Sequence, residues 1–114
     1  MKTLLALLVA VVPAFADSQA QLAAKLNEEG KQLMFDGKYP AAEKKFVDAV
    51  ARVPEAKYLF NLCTADYMQG KFGEALTACS EVAKHKPDEA LKTKTGKLIE
   101  KIKADAASQH INVK

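Results

Sequence analysis

Two stretches, Asp36-Gly37-Lys38-Tyr39-Pro40-Ala41-Ala42 and Gln69-Gly70-Lys71-Phe72-Gly73-Glu74-Ala75, stand 33 residues apart and decide the fold. Gly37 recurs as Gly70, Tyr39 as Phe72, Ala42 as Ala75 and, further on, Pro54 as Pro87. In the same register Gly30 maps to Cys63 and then to Gly96. A single matched glycine is chance, but several matches in one register are an internal repeat.

Between these marks the apolar residues follow helical spacing, and no stretch alternates with period two. Leu22, Leu26, Gly30, Leu33 and Met34 predict a first helix, begun by a Ser18-x-x-Gln21 capping box and stopped at Gly37. Pro40 suits the first turn of a second helix carrying Ala42, Phe46, Ala49, Val50 and Val53. Pro54 opens a third helix with Leu59, Leu62, Cys63 and Tyr67 on one face. A fourth carries Phe72, Ala75, Leu76, Cys79, Val82 and Ala83. A fifth starts at Pro87-Asp88, carries Leu91, Leu98, Ile99 and Ile102, and fades near Ser108. The expected fold is all-α: antiparallel helix pairs stacked as a short solenoid of about two repeats plus a capping helix. Small residues let paired helices approach, so Gly30 is expected against Ala42 and Cys63 against Ala75, with Phe46 filling the gap towards the next pair.

Residues 1–16 read differently. Lys2 precedes an unbroken apolar run from Leu4 to Val12, and Ala14-Phe15-Ala16 places small residues before Asp17. This is the layout of a secretory signal peptide cleaved between Ala16 and Asp17. Nine apolar residues fall well short of the roughly 20 a membrane span needs. The expected division is therefore an export signal over 1–16 and a helical domain over 17–107. The domain holds repeats over about 22–54 and 55–87 and a cap helix over 88–107, and a tail follows over 108–114. The mature product would be periplasmic or secreted.

The chain has 114 residues, 49% of them apolar and 27% charged, with a net charge of +3 and no tryptophan. That size excludes a large barrel or a dinucleotide-binding sheet. Residues 84–114 carry eight bases against four acids. Lys92, Lys94, Lys97, Lys101 and Lys103 nevertheless space like the wet face of a helix, without arginines or interleaved aromatics, so no nucleic acid is expected. His85 and His110 are 25 residues apart and lack the spacing of a zinc pair. Glu28 and Glu29, like Asp88 and Glu89, are adjacent and point different ways from a helix. No nucleophile elbow, phosphate loop or dinucleotide fingerprint is present. The expectation is no enzyme, no cofactor and no metal.

The glycine–aromatic–alanine punctuation resembles the tetratricopeptide repeat family. The matching residues are Gly30, Gly37, Tyr39, Ala42, Phe46, Ala49 and Pro54 in one unit. In the next they are Leu59, Leu62, Cys63, Gly70, Phe72, Ala75, Cys79, Val82 and Pro87. The resemblance spans roughly residues 22–103. Leu26 and Leu59 stand where the family often has tryptophan, Glu29 replaces a usual leucine, and the period is 33 rather than 34.

That resemblance implies a protein or peptide partner held in a groove lined by the first helix of each pair. Carried over position by position, the groove takes Asn27, Lys31, Met34 and Phe35 from the first helix. The third helix gives Lys57, Phe60, Asn61, Thr64, Tyr67 and Met68, and the fifth gives Lys97 and Lys101. Lys31, Asn61 and Lys94 match only part of the clamp with which some family members hold chaperone tails. The same aromatics could equally be packing between neighbouring helices. With about two and a half repeats, a homo-oligomer formed through exposed repeat faces is the alternative use of the surface.

Cys63 lies seven residues before Gly70 and Cys79 nine after it. Allowing about two residues for the turn, and about 1.5 Å of rise per residue, both stand at one height on adjacent helices. In an oxidising compartment such a pair can close. Otherwise the two are buried thiols acting as small apolar fillers. Neither reading makes them a redox dithiol, since the C-x-x-C spacing is missing.

Overall fold

The structure, a computed structural model, describes the backbone of residues 2–110 and the side chains of residues 18–110. The expected export signal and its cleavage site lie outside the residues described in full, as do residues 111–114 of the expected tail. The elements are α1 (Lys2–Phe35), α2 (Tyr39–Arg52), α3 (Ala56–Met68), α4 (Phe72–Val82), a short 3-10 turn (Ala83–His85) and α5 (Glu89–Ser108). The fold is all-α, with no strand among the described residues.

Both intrapair turns are built the same way. Lys38 N–H donates to Leu33 C=O at 2.8 Å and Gly37 N–H to Met34 C=O at 3.0 Å. One period later Lys71 N–H donates to Asp66 C=O at 3.0 Å and Gly70 N–H to Tyr67 C=O at 2.9 Å. These are Schellman caps, which satisfy the last carbonyls of a helix and need a left-handed residue. Gly37 at φ 75° and Gly70 at φ 74° supply it. The three-residue connections turn α1 into α2 and α3 into α4 as antiparallel pairs.

The interpair connections differ. Val53–Glu55 leads into α3 with Val53 extended at φ −143°. The second passes through the 3-10 turn and a left-handed Lys86 at φ 52°. Asp88 then caps α5 by accepting from Leu91 N–H at 2.8 Å, as its place after Pro87 predicts.

The core runs along the stack from pair to pair. Ala23, Ala49 and Tyr58 join α1, α2 and α3. Ala42, Phe46 and Ala65 are buried beside Leu33, Met34 and Leu62. Cys63, Phe72, Ala75, Ala78, Cys79, Ile102 and Ala106 bind α3 and α4 to α5. Ala56, Leu59 and Val82 close the end nearest Leu91. The fifth helix covers the apolar face that the second pair alone would expose.

Three local expectations are corrected. No cap starts a helix at Ser18, because α1 runs through it from Lys2 and leaves no orphan amides for a capping box. Gly30 meets the ring of Phe46 rather than Ala42: a Cβ at residue 30 would lie 2.5 Å from the nearest ring carbon. Phe46 still reaches Ala65 of the next pair, as expected. Gly96 continues the small-residue series, yet a Cβ there would meet nothing within 4 Å. α5 has no following partner among the described residues to press against it.

Cys63 and Cys79 are bridged, with their Cα atoms 5.3 Å apart. They are 0% and 1% exposed, so the bond lies inside the second pair.

Candidate interaction face

The first helices of the pairs, α1 and α3, lie side by side, and α5 continues the row. Polar and aromatic contacts tie them in one register. Asn61 Nδ2 donates to Asn27 Oδ1 at 2.8 Å, linking α3 to α1. Lys94 Nζ stands 4.9 Å from the centre of the Phe60 ring and Lys101 Nζ 5.9 Å from that of Tyr67, linking α5 to α3. Each contact joins residues 34 positions apart, one more than the repeat period. Tyr67 also donates its hydroxyl to Asp105 Oδ2. That bond to a carboxylate raises the Tyr67 pKa above its ordinary value, and burial adds to the effect.

These contacts divide the twelve positions expected to line a groove. Asn27 is buried, and its oxygen is engaged by Asn61. Phe60 packs against the cluster of Ala56, Leu59 and Val82, and Tyr67 against that of Cys63 and Phe72. Thr64 turns its hydroxyl onto Phe60 C=O at 3.0 Å. Met34 packs on the Ala42–Phe46–Ala65 cluster. Lys101 sits over Tyr67 and is itself exposed, while Met34, Phe60, Asn61, Thr64 and Tyr67 are half-buried.

Phe35, Met68, Lys31, Lys57 and Lys97 remain exposed. Lys31 pairs with Glu28 at 3.1 Å and Lys57 with Glu55 at 3.7 Å, both at the surface where such pairs contribute little. Phe35 is 87% exposed and Met68 is 46% exposed. They are equivalent positions, one period apart, each the last residue of its helix. Isolated exposed apolar residues are ordinary, but a repeated one at the end of adjacent helices forms the start of a patch.

One polar cluster was not foreseen. Glu43 of α2 accepts from Gln69 Nε2 at 2.8 Å and from Lys71 Nζ at 2.9 Å through the same oxygen, and it faces Asp66 of α3. Asp66 is 3% exposed. The available signal was the register: Asp66 falls where the first unit has Leu33, a polar residue in an apolar place.

Among the described residues, no group of three or more histidine, cysteine or acidic side chains is placed to hold a metal ion. Nor is any helix among them long and apolar enough to cross a membrane. No family model matches the chain, and neither the curated proteins nor the solved structures yield a match to it.

Proposed function

We propose that the chain is an exported protein–protein interaction module of tetratricopeptide type, whose first-helix face takes a segment of a partner protein. The observation that carries this reading is the exposure of Phe35 and its equivalent Met68 at the ends of adjacent helices. Two apolar anchors with Lys31 on the same face suit a segment with apolar side chains and acidic flanks. The buried bridge supports an oxidising destination, as does the signal-like sequence over residues 1–16. N-terminal sequencing of the exported product should begin at Asp17.

A photo-crosslinking amino acid at position 35 or 68, compared with one at the exposed Ala51 of α2, tests the face. The first two sites should capture one partner protein, and position 51 should not. Equal capture from all three, or capture from 51 alone, would sink the reading. A product of twice the chain's own mass from 35 and 68 would replace the foreign partner with a second copy.

A further inference from the structure

Asp66 occupies the place of Leu33 at a Schellman cap. Its Oδ1 is buried and makes no hydrogen bond. The charged groups around it come from three elements: Glu43 of α2, Lys71 of the α3–α4 turn and Glu74 of α4. Glu43, whose Oε1 is held by Gln69 and Lys71, faces Asp66 across the junction between the two helix pairs.

Two carboxyl groups in contact cannot both be ionised without strong repulsion, so such a pair holds one proton between them. The surroundings decide where it rests. Glu43 Oε1 receives an amide from Gln69 and an ammonium from Lys71, both of which favour its charged form. Asp66 has neither, and it lies in the last turn of α3, where the negative end of the helix dipole disfavours a carboxylate. The proton therefore sits on Asp66, which donates to Glu43.

We propose that this single proton is a lock between the helix pairs. With it, Asp66 is a neutral donor that ties α3 to Glu43 of α2; without it, two carboxylates face each other and the α2–α3 junction loosens. α2 and α3 pack directly on each other across the pairs beside Phe46 and Ala65. Opening that junction alters the spacing of α1 and α3, whatever binds there.

The ionisation behaviour agrees with the geometry. Burial, then the contact with Glu43, pushes the Asp66 carboxyl up to about 7. For Glu43, burial acts the other way, but the hydrogen bonds from Gln69, Lys71 and Asp66 outweigh it and hold its pKa below the usual range. A free aspartate in the unfolded chain titrates near ~3.9. Between that value and about 7 the folded state holds a proton the unfolded state has released. Stability must therefore fall as pH rises through that window. Glu43 acts oppositely, and only in acid: its contribution is lost as pH falls through its lowered pKa.

The test uses the oxidised chain. Carboxyl-carbon NMR should show Asp66 titrating near neutrality, and urea unfolding should show the unfolding constant rising up to roughly a hundredfold from pH 5 to pH 8. Over the same range, amide exchange corrected for its intrinsic pH dependence should lose protection in α2 and α3 more than in α5. Asp66→Asn keeps a neutral donor and should flatten the pH profiles of both unfolding and exchange. An Asp66 midpoint near ~4 in the unmodified chain overturns the proposal, even should the variant fail to fold. Unchanged pH dependence in a folded Asp66→Asn chain, or exchange protection in α2 and α3 that does not move, overturns it as well.

Discussion

Gly30 and Phe46 in the first helix pair, and Cys63 and Cys79 in the second, occupy the same two positions of the 33-residue register. Each pair of positions lies seven residues before and nine after the turn glycine. The first pair of helices is closed by an aromatic ring lying on a missing side chain. The second is closed by a covalent bond. The ring contributes dispersion and apolar burial in the folded state. The bond contributes chiefly by restricting the unfolded chain, in an account that remains model-dependent. One geometric problem therefore has two solutions, of which only the second depends on the redox setting.

The largest expected effect comes from breaking the first closure. Phe46 is 0% exposed and touches both Gly30 and the Ala42–Ala65 cluster. Phe46→Ala leaves a cavity that a glycine opposite cannot fill, and should cost about 3–5 kcal/mol. Urea unfolding would read this as a lower midpoint, by the same amount with or without reductant. A loss that vanished on reduction would mean that the two closures are coupled rather than separate.

Breaking the second closure should cost somewhat less. The bond encloses the 15 residues between Cys63 and Cys79, a loop for which the chain-entropy account gives about 3 kcal/mol. Cys63→Ala with Cys79→Ala should lower the urea midpoint accordingly, while circular dichroism stays helical. The variant's midpoint should also become indifferent to reductant. An unchanged midpoint would reduce the bridge to packing between two small side chains.

The comparison also marks how far the residues alone could be read. The five helices, both glycine turns and the placing of Cys63 and Cys79 at one height follow from period and from counting residues to a bend. The same count applied to Gly30 would have picked Phe46, since it too lies nine past the glycine. Close approach of small residues favours Ala42, whereas here the glycine makes room for a ring. Gly96 fits the register yet faces open space, because a repeat pattern does not say where the stack ends. Ser18 fits a cap only for a chain that starts near it. Asp66 and Glu43 lie on different helices, and sequence spacing carries no sign of which charges a fold will bring together. The face over α1, α3 and α5 was legible as a face. Which of its residues are consumed by neighbouring helices, such as Asn27 by Asn61, depends on a 34-residue offset that appears only once the helices are side by side.

The smallest effect belongs to the feature the two pairs share. Gly37 and Gly70 have nearly the same φ, and an added Cβ at either would meet nothing within 4 Å. Alanine at either site therefore carries only the backbone penalty of a left-handed residue, about 1 kcal/mol, partly offset by a stiffer unfolded chain. Gly70 lies inside the loop closed by the bridge and Gly37 lies outside any such loop. The bridge already restricts the unfolded chain around Gly70, so the offset there should be smaller while the bond is intact. Gly70→Ala should then cost a few tenths of a kcal/mol more than Gly37→Ala in oxidising buffer. Under reductant the two urea midpoints should shift equally. A difference that survived reduction would have to come from the folded turns themselves. There the caps differ in Asp66 in place of Leu33 and in Gln69, bonded to Glu43, in place of Asp36.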